Sequence, residues 1–354
     1  MEATAKVAEL AGKRNYWIHS KQWDLTFVIL SASLIALPLI LNLILHNLMG
    51  ISQAVVRTVV ALGITVAVGG PHMYATFTRT ALDKSFIKSH PLIMLGSVLV
   101  PVMVIWLGLS NFIVLLTLFF FWASVHVLHQ IVYFVECYNT KSVKTLSLNA
   151  RLIDYAVVFT SLYPIAFKRM VEGTFMIGSN KMPFPEFLRG DWFWMTALFI
   201  FLGSLALFTV KTVQEAREGT VLWPKVMLIY VTAVGSFLIP TFHDLDVAFQ
   251  GMNTWHSFQY LGLTWYVNRL RSERGEISSG WVAKISKPNR GFLFYLSFVG
   301  VTISTIVIVM FLQHVVGLTQ DQAYYITVLS FLLMHYLHDH VLFTDTQVLR
   351  PRMA

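Results

Sequence analysis

Seven histidines and one aspartate carry the chemistry available to this sequence: His72, His126, His129, His256, His335, His338 and His340, with Asp339 beside the last two. All lie in long apolar stretches, where an ionisable side chain is expensive to bury and marks a functional site by default. His126 and His129 are i and i+3 on one helical face. His335, His338 and Asp339, at i, i+3 and i+4, share another, whereas His340 points about 140° away from His335 at about 100° per residue. His256 is followed at i+3 and i+4 by Gln259 and Tyr260. Helical bundles hold di-iron centres through carboxylates and histidines at i, i+3 on facing helices. Here imidazole largely replaces carboxylate, which keeps net charge in hydrocarbon low, and imidazole suits Fe, Cu, Zn and Ni alike. The expected metal ligands are His72, His126, His129, His256, His335, His338 and Asp339. Asp339 is either a ligand or the acceptor that fixes a histidine tautomer. Tyr133 or Tyr260 is the expected source of a proton or hydrogen bond. A plainer reading exists for each: His72 follows Gly69-Gly70-Pro71, where proline frees backbone carbonyls that a neutral ring can satisfy, and His126 and His129 could bond hydroxyls of neighbouring helices.

The elements that must position these residues are membrane helices. Of 354 residues, 56% are hydrophobic and 12% charged, too few charges for a water-facing surface, and the apolar residues fall in blocks of about twenty, the length that crosses a bilayer core. Ten spans are predicted, at 25–47, 53–78, 91–109, 111–137, 150–167, 192–210, 221–242, 247–268, 291–313 and 322–345. The expected fold is an all-α polytopic membrane protein of about ten transmembrane helices: an amphipathic segment 1–24 on the membrane surface, one helical domain 25–345 and a tail 346–354. The single cysteine, Cys137, excludes a disulfide scaffold.

With both termini in the cytoplasm, 21 of the 26 Lys and Arg fall on the cytoplasmic side, leaving Arg57, Lys168, Arg169, Lys181 and Arg189 on the other. That bias is the positive-inside pattern, so the basic excess sets orientation and implies no nucleic-acid partner. It also sorts the histidines by depth. His46, His243 and His314 fall near outer helix ends, and His19 and His90 at the cytoplasmic rim. The other seven lie on the second, fourth, eighth and tenth spans, roughly 5 to 13 residues from the cytoplasmic ends at about 1.5 Å per residue, a single layer in the cytoplasmic half. Four helices bringing imidazole to one depth favours ligation over four separate packing roles. The expected location is a bacterial inner membrane.

Gly70-Pro71-His72 in an early helix, a histidine pair in a middle one, Trp255-His256-Ser257-Phe258-Gln259-Tyr260, and a last helix with His335 and Asp339 together resemble the bacteriorhodopsin-related (Brp/Blh) membrane β-carotene dioxygenases. The resemblance covers short islands, under a fifth of the chain, and this sequence continues His72-Met73-Tyr74-Ala75-Thr76 where that family has an acidic residue. It implies a non-haem iron held by histidines of separate helices and oxygenation of a polyene. The expected function is thus a membrane-embedded non-haem iron oxygenase or desaturase-type redox enzyme. It would hold one or two Fe ions and act on a long-chain lipid or isoprenoid with dioxygen, drawing on a cytoplasmic electron donor where electrons are needed. An intramembrane zinc hydrolase of lipid amides or esters, with three histidines and an aspartate, is the alternative, followed by a haem or metal-transport protein. No HExxH occurs, and no His-His pair of the desaturase type.

Overall fold

The computed structural model of the chain describes residues 16–142, 145–173, 175–177, 180–242 and 245–349. Among them, one long helix corresponds to each predicted span. In chain order these are α1 (Lys21–Leu48), α2 (Gln53–Thr78), α3 (Pro91–Ser110), α4 (Phe112–Asn139), α5 (Leu148–Val171), α6 (Asp191–Arg217), α7 (Trp223–Phe242), α8 (Leu245–Glu273), α9 (Pro288–His314) and α10 (Gln320–Leu342). The described strands, β1 (Met176–Ile177) and β2 (Asn180–Lys181), form one short antiparallel ladder. The chain is an all-α polytopic membrane protein.

Eight of these helices are long and apolar enough to cross a membrane. The remaining two are α8, of 29 residues, and α10, of 23 residues. They have the length, about 43 and 35 Å against a hydrocarbon core of about 30 Å, but not the apolarity. Many of their polar residues are enclosed by protein: Thr254, His256, Ser257 and Gln259 on α8 and Thr327, His335, His338 and Asp339 on α10 are all buried. The opposite case is α3, whose Leu92, Leu95, Val98, Val102 and Trp106 are exposed. That flank suits lipid, as expected of a helix with few polar side chains to hide.

The chain divides into two compact units. The first comprises Met1–Ala32, Leu128–Thr174 and Phe184–Phe242, and the second Ser33–Val127, Phe175–Pro183 and His243–Ala354; α4 contributes its first half to the second unit and its last turns to the first. His243 and the stretch 1–15 of the expected surface segment lie outside the described residues.

The first unit is built on α5, α6 and α7 with the end of α4. The start of α1 is tied down there by Asp24, which accepts from the Ile18 amide at 2.7 Å, the His19 amide at 3.1 Å and the Tyr138 hydroxyl at 2.8 Å. Deeper in, Asp154 of α5 accepts from Lys211 of α6 at 2.6 Å and from Lys225 of α7 at 2.9 Å.

In the second unit α2 packs against α8 and α9, and α3 runs along α10. Two glycines set these approaches. A Cβ on Gly70 would overlap the Thr302 side chain of α9, and one on Gly251 of α8 would overlap the Ile35 carbonyl oxygen of α1. Pro71 has no N–H to continue the ladder, and α2 widens into a π-helical turn over Thr65–Gly69 just before it. Such turns re-aim a helix locally and recur at functional sites. The next residue is His72. At the start of α10, Thr319 and Gln322 form a reciprocal capping box.

Candidate metal centre

Four imidazoles, one from each of four helices, meet in the interior of the second unit: His72 of α2, His126 of α4, His256 of α8 and His335 of α10. None is more than 4% exposed. Their ring centroids close a four-sided figure, with His72–His335 4.8 Å, His335–His126 4.9 Å, His126–His256 4.9 Å and His256–His72 5.1 Å. The His256–His335 diagonal is 6.4 Å.

Asp339, fully buried one helical turn after His335, joins them: its Oδ2 lies 3.6 Å from His335 Nδ1 and 3.8 Å from His126 Nε2. The ligand atoms of His72, His256 and His335 are within 4.8 Å of one another, as are those of His126, His335 and Asp339. His335 belongs to both groups. The centre of three atoms 4.8 Å apart is about 2.8 Å from each, against metal–nitrogen bonds of about 2.0–2.1 Å, so shifts of under about an ångström would close either group on one ion.

The surrounding hydrogen bonds fit such a role, because they occupy one nitrogen of a ring and leave the other bare. Ser257 donates its hydroxyl proton to Asn253 Oδ1 at 3.3 Å while lying 2.9 Å from His72 Nδ1. With the Ser257 proton directed to Asn253, His72 donates at Nδ1, and its Nε2 is buried without a hydrogen-bond partner. His335 repeats the pattern. Its Nδ1 is 2.5 Å from Thr76 Oγ1, whose own proton is directed to Asp339 Oδ1 at 3.4 Å, and its Nε2 is buried without a partner. A ring held in one tautomer through its far nitrogen is how proteins prepare a histidine for a metal. A buried lone pair with no donor facing it is costly, and a cation at that point removes the deficit.

Tyr260 donates to Asp339 Oδ1 at 2.6 Å and lies 2.7 Å from Thr76 Oγ1. Thus Thr76, Tyr260 and Asp339 form one network on the His335 side. On the other flank, His126 stacks on Tyr336 with centroids 4.1 Å apart.

Of the expected ligands, His72, His126, His256, His335 and Asp339 come together, and two do not. His338 turns toward α3, with Nδ1 2.9 Å from Thr80 Oγ1 and Nε2 2.6 Å from Ser97 Oγ, so both nitrogens are occupied by hydroxyls. His129 is half-buried and belongs to the first unit, outside both groups. Of the two tyrosines, Tyr260 is in the network, whereas Tyr133 is buried in the first unit against Phe134. His340 is exposed, as its helical angle requires. Thr76 and Ser257 were not singled out by sequence reasoning, although each had a signal: Thr76 is one turn beyond His72 on the same face, and Ser257 adjoins His256.

No family model matches this chain, and neither a curated protein nor a solved structure matches it.

Proposed function

We propose that His72, His126, His256, His335 and Asp339 hold a transition metal, iron in the first place, and that the protein is a membrane-embedded non-haem iron oxygenase or desaturase-type enzyme. Its substrate class is a long-chain lipid or isoprenoid. The observation that carries this reading is the ring of four buried imidazoles in which the Nε2 atoms of His72 and His335 lack a hydrogen-bond partner, with Asp339 Oδ2 3.6 Å from His335 Nδ1 and 3.8 Å from His126 Nε2. Bound iron would supply dioxygen activation, a chemistry suited to a site in an apolar phase.

The chain's own residues do the rest. Thr76 and Ser257 orient two rings through Nδ1. Tyr260 holds a proton against Asp339 and is the group placed to deliver or retain one at that carboxylate. The burial of all five ligands keeps bulk water away, and the surrounding helices offer an apolar flank to a lipid substrate. The likeness of Gly70-Pro71-His72, Trp255-His256 and His335/Asp339 to the Brp/Blh dioxygenases supports the same reading.

Metal analysis of the purified protein tests it. Wild type is expected to carry stoichiometric iron with a non-haem spectrum, and His126→Ala and His335→Ala to lose it. Absence of any stoichiometric transition metal, or full retention by both variants, defeats the proposal. Zinc in place of iron would favour a hydrolase, and a Soret band a haem protein.

A further inference from the structure

Residues 79–90, between α2 and α3, and 269–290, from the last turn of α8 to the start of α9, carry nine Lys and Arg against three acidic residues, Asp83, Glu273 and Glu276. The arginines take the acids. Arg269 pairs with Glu273 at 2.9 Å, Arg271 with Asp83 and with Glu276 at 3.8 Å, and Arg274 with Glu276 at 3.9 Å. The lysines differ: Lys84, Lys88, Lys284 and Lys287 are exposed, and none forms an ion pair among the described residues. Exposed ammonium groups alone would make a solvated face, so their surroundings decide what they do.

Two six-residue helices, Lys84–Ser89 and Gly280–Ile285, display three of the four, and Lys287 follows the second. Asp83 caps the first through the Ser85 amide at 2.9 Å, and Ser279 the second through the Val282 amide at 3.4 Å. Both belong to the second unit and are tied together there. The Lys84 amide donates to Ser278 Oγ at 3.3 Å, and the Arg271–Asp83 pair joins the same two segments. Each helix is amphipathic. Phe86 of one and Val282 and Ile285 of the other are buried, while Lys84, Ile87 and Lys88, and Trp281 and Lys284, are exposed. Trp281 lies edge-on to Phe298 at 6.0 Å, yet is 44% exposed, and its indole N–H bonds no described residue.

The connections to the membrane helices are short. Only His90 separates the first helix from Pro91 of α3, and Ser286 and Lys287 separate the second from Pro288 of α9. A residue spans at most about 3.6 Å, so both helices stay at the membrane boundary. Just inside it, Leu92 of α3 and Phe292 of α9 are 79% and 72% exposed. A water-soluble anion would engage the ammonium groups and leave Ile87, Trp281 and Phe292 in water. A phospholipid uses both kinds of surface, and tryptophan beside lysine is the composition of a headgroup layer.

We infer that this face docks the phosphate headgroups of anionic phospholipids on Lys84, Lys88, Lys284 and Lys287, with the indole N–H of Trp281 as a further donor and the acyl chains against the exposed first turns of α3 and α9. Such docking is independent of what the four imidazoles hold.

Native mass spectrometry of the full chain, titrated in detergent with dioleoyl phosphatidylglycerol or dioleoyl phosphatidylcholine, tests it, because the two lipids share their acyl chains and differ in headgroup charge. A basic residue at an anionic membrane surface is worth about fivefold in binding, so two ammonium contacts to one headgroup give wild type a preference of about 25-fold for phosphatidylglycerol. The quadruple variant Lys84→Gln, Lys88→Gln, Lys284→Gln, Lys287→Gln changes only exposed side chains and is expected to bring that preference to within about twofold. The triple variant Lys21→Gln, Lys141→Gln, Arg217→Gln, which removes basic residues of the first unit, is expected to keep it. Equal retention of the two lipids by wild type, which would leave the lysines to an acidic protein, overturns the inference. So does a preference that survives the quadruple variant, or one that the triple variant abolishes as completely, which would reduce it to overall charge.

Discussion

Each unit buries one polar centre on transmembrane helices, and the two centres are finished to different degrees. In the first, Asp154 accepts from Lys211 and Lys225 on its two oxygens, Lys225 also donates to Asn139 Oδ1 at 3.1 Å, and Lys211 also pairs with Glu215 at 3.0 Å. Two carboxylates balance two ammonium groups, and each of the four has its partner within the unit. In the second, one nitrogen of His72 and one of His335 are held by hydroxyls while the other has no hydrogen-bond partner, and Asp339 Oδ2 lies 3.6 Å from His335 Nδ1 and 3.8 Å from His126 Nε2. A saturated cluster ties helices together. One that leaves ring nitrogens unmet, among ligand atoms within 4.8 Å of one another, has a geometry that could hold a metal ion. The contrast separates structure from site where burial alone cannot, since Asp154 and Asp339 are both 0% exposed.

The comparison breaks most sharply at Asp154. Asp154→Asn leaves two buried ammonium groups short of a counter-charge and is expected to destabilise the protein by about 3–5 kcal/mol, read as a lower thermal midpoint in detergent, while metal per folded molecule stays at the wild-type level. Loss of metal with unchanged stability would invert the assignment of the two centres. Next in size is Thr76→Val, which keeps the shape but removes the acceptor that fixes His335 Nδ1. Metal affinity is expected to fall about 10- to 100-fold, measured by competition with a chelator; unchanged affinity would show that the hydroxyl does not set the tautomer. The smallest effect is expected from His338→Gln. Thr80 and Ser97 keep their backbone acceptors, Thr76 O at 3.1 Å and Ile93 O at 2.9 Å, so the cost is about 1 kcal/mol with metal content unchanged. Metal loss as deep as that of His335→Ala would place His338 in the centre after all.

Much of the architecture was legible in the sequence because membrane helices declare themselves by length and apolarity. The two that declared themselves least, α8 and α10, carry most of the site, since what lowers their apolarity is the polar chemistry they enclose. That layer of histidines on four helices was likewise readable. The Asp154 knot was not: its members stand 57 and 71 positions apart from Asp154 in the chain, and no local pattern joins an aspartate to lysines on two other helices.

The sequence by itself determined the helices, their number, the four that carry imidazole and the fact that His340 faces away. Only the tertiary structure decided which of two neighbouring histidines enters the centre. Residues at i and i+3 stand about 60° apart around a helix, inside the width of a single apolar face, so His126 and His129, or His335 and His338, are equivalent candidates in any periodic pattern. The choice rests on how each helix is rotated against its neighbours. Close contacts such as Gly70 on Thr302 and Gly251 on Ile35, together with the hydroxyls of Thr80 in the turn after α2 and Ser97 of α3 that engage His338, are set by residues far away in the chain.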